Sequence, residues 1–315
     1  MKIGILTFHN ADNYGAVLQC YALQEHLKKQ YPNDEVFVID YRNPDIEYTY
    51  KSIRKRKSLK ENFLQFIYLP AVIKKQKKFE TFRKKYLNLG VADFSIYSII
   101  YYGSDQIWNT ILTGNDLVYF GKGFNGKKIA YAASDGGEIK FTDEIKELLN
   151  GFETISCRES SLAERLKFEG VSVPVSTVSD PIFLLSSKEW LKVAILPNVS
   201  NYILAYKISP RLDFDIQAEK LGSKLGKKVI QIVYTKSLRQ LVYKNQQIIQ
   251  SISPEQFIGY LLKSDCVLTT SFHGTAFSIL FEKLFYVLSF EKRTERIIEL
   301  LKKSKMESQF VKEIS

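Results

Sequence analysis

KIGILTF, residues 2–8, runs into the polar stretch HNADNYG, residues 9–15, then AVLQCYALQEHLKK, residues 16–29, and finally EVFVIDY, residues 35–41. The first segment is a short apolar run of the kind that a sheet buries on both faces. In the third, Ala16, Cys20, Leu23 and Leu27 recur at helical spacing, and the lysines at its end complement the helix dipole. The fourth is apolar and rich in valine and aromatics again, so these first forty residues predict one β-α-β unit.

The same alternation recurs along the chain. YSIIYYGSDQIWN (97–109), KKIAYAASDGG (127–137) and ETISCRESS (153–161) are apolar runs that each empty into a loop of Gly, Ser, Asp or Arg, and SSLAERLKFEG (160–170) follows the third as a helix. A second series starts near residue 200: strand NYILAYKIS, helix FDIQAEKLGSKLG, strand KKVIQIVYT, helix SPEQFIGYLLKS, strand and loop DCVLTTSFHG, helix TAFSILFEK, strand LFYVLSF. SPEQ has the form of a capping box with proline at the first helical position, which marks that helix start. The expected fold is α/β, with two Rossmann-like domains facing across a cleft. Residues 1–180 form the first domain, with a basic helical insertion at about 51–90; residues 181–200, with Pro181 and Pro197, cross between domains; residues 201–315 form the second.

Bulk properties narrow the function. Of the 315 residues 45% are hydrophobic, enough for a sizeable core, and the net charge is +11. Residues 51–85 hold thirteen Lys or Arg against Glu61 and Glu80, so the whole excess is local and points to one acidic partner surface. Phe63, Phe66, Tyr68, Phe79 and Phe82 interleave with those lysines, a pattern that suits an anionic membrane, while no nucleic-acid fold signature accompanies the charge. A plain solvated helical face is the alternative. Cys20, Cys157 and Cys266 have neither disulfide-framework nor zinc-ligand spacing and read as small buried hydrophobes. No signal peptide or membrane span is evident, so a cytoplasmic location is expected, with peripheral contact at the inner face of the cell membrane.

Candidate site residues lie where strands end. In SFHGTAF (271–277) the strand stops at Ser271, Gly274 allows close approach, and Thr275 is expected to begin a helix whose N-terminus favours an anion. His273 there either contacts that anion and passes a proton, or caps the helix. In GSDQIWN, Ser104 and Asp105 beside Trp108 either bind a sugar or form a cap packed on a core indole. Arg158 either clamps an anion or pairs with nearby carboxylates. Lys207 ends the first strand of the second series and either points to the cleft or is a solvated lysine. Asp213-x-Asp215 precedes a helix and reads as N-capping rather than metal binding, so no metal is expected.

Taken in order, GILTFHNADNYGAVLQCYALQEHL, YYGSDQIWN, KIAYAASDG, ISCRESS, SDPIFLL and SFHGTAFSILFEK resemble the polysaccharide pyruvyl transferase family, from Ile3 to about Glu299. The resemblance implies a fold similar to two-domain glycosyltransferases of the GT-B type. It implies transfer of a pyruvyl group from phosphoenolpyruvate, as co-substrate and with no cofactor, onto a sugar or lipid-linked oligosaccharide as a cyclic ketal. It also implies a donor site in the second domain, with His273 matching the family histidine, Lys207 its basic residue, and Ser271 standing where many members carry arginine. Ser271, Gly274, Thr275 and Arg158 would then bind the donor, and Asn10, Asn13, Gly15, Ser104, Asp105 and Trp108 the acceptor. A nucleotide-sugar glycosyltransferase and a non-catalytic homologue binding an anionic sugar ligand stand as alternatives.

Overall fold

The computed structural model describes residues 1–50, 59–208, 212–233, 245–288 and 295–314, without the side chains of 59–66 and 212. The chain forms two units, residues 1–51 with 81–185 and residues 52–80 with 186–315.

In the first unit seven parallel strands, β1 (Lys2–Leu6), β2 (Glu35–Ile39), β3 (Leu89–Gly90), β4 (Ile99–Tyr102), β5 (Lys127–Ala133), β6 (Thr154–Cys157) and β7 (Val175–Thr177), lie in the order β3-β2-β1-β4-β5-β6-β7. The connecting helices are α1 (Tyr14–Gln30), α2 (Pro44–Tyr50), α3 (Leu59–Tyr86), α4 (Asp143–Asn150) and α5 (Ser160–Phe168). The predicted β-α-β unit is present: β1 and β2 pair in parallel, and Leu23 and Leu27 of α1 are buried. The helix begins two residues earlier than the apolar spacing suggests. The Asn13 carboxamide oxygen accepts the Gly15 N–H at 2.9 Å and so sets the start at Tyr14.

The second unit contains α6 (Ser187–Val193), β8 (Tyr202–Tyr206), α7 (Leu212–Leu225), β9 (Lys228–Ile232), β10 (Gln246–Ile249), α8 (Pro254–Lys263), β11 (Cys266–Thr269), α9 (Phe272–Leu280), β12 (Leu284–Leu288), α10 (Glu295–Lys303) and β13 (Phe310–Val311). Its parallel sheet runs β10-β9-β8-β11-β12-β13. Strands β4, β8 and β11, next to the reversal of winding in each sheet, are buried at every position, which is why they read as unbroken apolar runs. The capping box expected at SPEQ is formed, Ser253 and Gln256 each bonding the other's backbone N–H. All three cysteines are free and buried, and burial pushes the Cys266 thiol up to about 12.

One expected boundary is corrected. Residues 59–80 of the expected insertion group with the second unit rather than the first, and residues 51–58 lie outside the described residues. The reason is visible in the described part of α3, where the Lys78 ammonium donates to Gln256 Oε1 at 2.8 Å and the Ser251 hydroxyl to the Ala71 carbonyl. The last part of α3 serves the first unit instead, through buried Phe82 and an Arg83–Asp12 ion pair at 3.0 Å.

Candidate functional site

A sheet wound in two directions leaves a crevice beyond the carboxyl ends of its strands where the winding reverses, and ligands bind there. In the second sheet the reversal lies between β8 and β11. Lys207 follows β8, and Ser271, His273, Gly274 and Thr275 follow β11, so these five residues come together at one end of the sheet.

The two strand ends are laced by hydrogen bonds. The Thr269 hydroxyl donates to the Tyr206 carbonyl at 2.8 Å and accepts the Ser271 N–H at 3.0 Å; the Thr270 N–H donates to the same carbonyl at 3.2 Å. Ser271 is the N-cap of α9, its hydroxyl accepting the Gly274 N–H at 3.3 Å. The helix therefore starts at Phe272, not at Thr275. Both the N–H and the hydroxyl of Thr275 are bonded to the Ser271 carbonyl, at 2.9 and 3.0 Å, and the side chain is wholly buried. The expected offer of the Thr275 N–H to an anion is thereby corrected: a backbone group already bonded inside the helix is not available to a ligand.

Gly274 sits inside the first turn rather than in a sharp bend, and it is glycine for reasons of space. A Cβ there would press on the Thr269 hydroxyl and come within 3.3 Å of the Tyr206 ring. Gly274→Ala is expected to destabilise the protein by about 1–3 kcal/mol through overpacking, measurable as a lower urea midpoint with an unchanged slope.

His273 stands in this first turn, partly exposed, with its ring edge-on to Phe272 at 5.3 Å. On the other helix packed here, α10, the Arg296 guanidinium lies 5.9 Å from the Phe272 ring centroid. An imidazole and a guanidinium thus border the same phenyl ring. Nothing in the sequence singles out Arg296, because it joins the loop only through the packing of α10 on α9.

Lys207, expected to hold the donor anion, points inward instead. Its ammonium is 2.5 Å from Asp215 Oδ1 and 5.4 Å from the Phe214 ring centroid, and the Gln231 amide donates to the same carboxylate oxygen at 2.7 Å. Both partners are buried, so the lysine charge is answered within the fold. The capping reading of Asp213 and Asp215 is corrected with it: both lie in the first turn of α7, but Asp215 turns into the core to meet Lys207.

In the first sheet the winding reverses between β1 and β4, and the loop after β1 meets the loop after β4. The Thr7 hydroxyl donates to the Ser104 carbonyl at 2.7 Å, and Gln19 bridges the pair, donating to Thr7 Oγ1 at 3.0 Å and accepting the Ser104 N–H at 3.3 Å. Asn10, Asn13, Gly15, Ser104 and Asp105 gather at this end. Asn10 donates to Glu47 at 3.2 Å, Asn13 caps α1, and Gly15 and Ser104 are buried. Asp105, partly exposed, adopts a φ of 73°, a left-handed conformation that a non-glycine residue rarely takes up outside turns and functional sites.

Trp108 does not belong to this group. It is fully buried, stacked on Phe120 at 5.9 Å and 12°, with its indole N–H donating to the Tyr119 carbonyl at 2.9 Å. Both ring and N–H are used in the core, which leaves no face for a sugar.

Arg158 is the other correction. It follows β6 in the first unit and is buried, with Nη1 donating to Asp180 at 3.0 Å, Nε to Glu159 at 3.2 Å, and Nη2 lying 4.0 Å from Asp105 Oδ1. Burial opposes its charge, but Glu159, Asp180 and Asp105 together outweigh that penalty and raise its pKa. The arginine reads as the centre of a structural ion cluster that fixes the Asp105 loop.

Two residues here escape notice in the sequence. Burial pushes the Tyr50 hydroxyl up to about 12; a hydrogen bond with the Asn13 side chain opposes the rise, and the charges of Asp105 and Asp12 add to it. A protonated hydroxyl thus stands beside the loop after β1. His9 is buried with Nε2 3.0 Å from Asp40 Oδ1. The Asp40 carboxyl is held well below the usual range, first by that hydrogen bond and, against burial, by Arg42 as well.

The family model described as polysaccharide pyruvyl transferase matches residues 13–291. Among curated proteins no match is found. Solved structures share the fold. A Listeria monocytogenes protein assigned as a UDP-N-acetylglucosamine 2-epimerase is 11% identical with a TM-score of 0.54, over 94% of this chain and 81% of that one. Staphylococcus aureus MnaA, solved with UDP, is 13% identical with a TM-score of 0.51, over 98% of this chain and 90% of that one. At these identities the likeness concerns the two-domain parallel α/β fold alone.

Proposed function

The chain belongs to the polysaccharide pyruvyl transferase family, a family of transferases, and from that premise we propose that it moves the pyruvyl group of phosphoenolpyruvate onto two hydroxyls of a sugar in a cell-surface polysaccharide or its lipid-linked precursor. The observation that carries this reading is the position of His273: partly exposed, in the first turn of α9, at the reversal point of the second sheet.

The reaction needs a proton delivered to the methylene carbon of phosphoenolpyruvate. One sugar hydroxyl then adds to the adjacent carbon, losing its proton, and a second hydroxyl, losing its proton in turn, closes the ketal as the carbon–oxygen bond to phosphate breaks and inorganic phosphate leaves. His273 is the residue to supply the first proton, since an imidazole passes protons near neutral pH. Arg296, with Ser271 in the loop, is suited to hold the donor's carboxylate or phosphate. Lys207 acts indirectly, through its pair with Asp215, as the brace of the β8 end. On the acceptor side Asn10, Asn13 and Asp105 supply hydrogen-bonding groups of the kind sugar hydroxyls require, and Tyr50 adds a hydroxyl donor.

Purified protein given phosphoenolpyruvate and candidate acceptor oligosaccharides should release inorganic phosphate in step with a ketal product seen by mass spectrometry. Nucleotide release from a UDP-sugar, with phosphoenolpyruvate left intact, would instead support a glycosyltransferase. Tight binding of phosphoenolpyruvate without product on any acceptor would support a non-catalytic homologue.

A further inference from the structure

We infer that the outward face of α3 is a docking surface for an anionic lipid bilayer. Between residues 67 and 85 the exposed positions are Ile67, Pro70, Ile73, Lys74, Lys77, Glu80, Thr81, Lys84 and Lys85. At 3.6 residues per turn these fall within an arc of about 140°, along about 27 Å of helix. The fully buried Phe79 and Phe82 lie on the opposite side.

This sorting separates side chains that the sequence presents as one interleaved pattern. Phe79 and Phe82 are core residues and cannot enter a membrane. Lys75, Lys78 and Arg83 turn inward, toward the Phe79 ring at 5.0 Å, Gln256 at 2.8 Å and Asp12 at 3.0 Å. Outward there remain four lysines against Glu80, and, at the N-terminal end of the described stretch, Ile67 and Ile73, 55% and 40% exposed.

Charge complementarity identifies the occupant. The chain's net excess of positive charge lies in residues 51–85, and this face carries the described, outward part of it. Basic residues near anionic headgroups each contribute about 1 kcal/mol, and stable attachment takes such a patch together with apolar insertion. Exposed isoleucines beside lysines on one helix face supply both. Among the described residues no helix is long and apolar enough to cross a membrane, so the helix would lie on the surface. The inference does not depend on which group the protein transfers.

The full chain should sediment with vesicles of phosphatidylcholine containing about one-third phosphatidylglycerol and remain in solution with phosphatidylcholine alone. Raising salt from about 0.1 M to about 1 M, which shortens the screening length from about 10 Å to about 3 Å, should release it. Joint Lys74→Gln, Lys77→Gln, Lys84→Gln and Lys85→Gln substitution should weaken binding at least ~30-fold, and Ile67→Ser with Ile73→Ser several-fold, with melting temperatures close to that of the wild type, because all six positions are exposed and surface contacts such as that of Lys85 with the Tyr86 ring at 4.8 Å contribute little. Lys302→Gln with Lys303→Gln, exposed on α10, should bind as the wild type does. Equal binding to both vesicle types, no binding to either, full binding by the four-lysine variant, or preferential retention on RNA or DNA would each overturn the proposal.

Discussion

Replacing His273 with alanine is expected to lower the turnover of pyruvyl transfer by about 10²–10⁴-fold, the range that a positioned general acid contributes, while leaving the melting temperature close to that of the wild type. The second half of that expectation follows from geometry. The residue is partly exposed at the first turn of α9, and helix capping is carried by Ser271 rather than by the histidine. His273→Gln preserves a hydrogen-bond donor without a titratable proton, so it separates the two possible duties. If the histidine only holds the donor, glutamine restores much of the rate; if it delivers the proton, glutamine stays as slow as alanine. Turnover by either variant at the wild-type rate would remove His273 from the mechanism.

Asp215→Ala is expected to cost about 3–5 kcal/mol of stability, because it strands the buried ammonium of Lys207 without its carboxylate. In a unit of this size that corresponds to a fall in melting temperature of roughly 10 °C. The double variant Lys207→Met with Asp215→Leu removes both charges and should recover most of the loss, since apolar replacement of a buried pair is often neutral. If the lysine instead serves the donor directly, the double variant would be stable yet as inactive as His273→Ala. Phosphate-release assays on the refolded double variant decide between the two.

The legible parts of this protein are those where one physical signal acts alone. Strands β4, β8 and β11 stand out because parallel strands covered on both faces become continuous apolar runs, and SPEQ because a capping box satisfies two backbone donors at fixed spacing. Strand β10, read as QQII with no position fully buried, lies at a sheet edge and leaves no such trace. Side-chain direction is harder still. Lys207 follows a buried strand and Arg158 a half-buried one, and whether such a cation meets a ligand or a neighbouring carboxylate depends on residues brought near by folding: Asp215 from α7 in one case, Asp105 and Asp180 in the other. Trp108 illustrates the same limit, since polar neighbours in sequence did not prevent its ring from packing on Phe120. His273 is legible as a strand-end histidine, whereas Arg296 becomes its neighbour only through helix packing.

The central claim is that the donor binds at the reversal point of the second sheet, beside His273. A crystal structure with phosphoenolpyruvate bound tests it most directly. The account predicts the ligand within hydrogen-bonding distance of His273, at the mouth of α9 between the ends of β8 and β11, with Arg296 turned toward its carboxylate or phosphate. Phosphoenolpyruvate bound instead at the β1–β4 end of the first sheet, with His273 untouched, would contradict it.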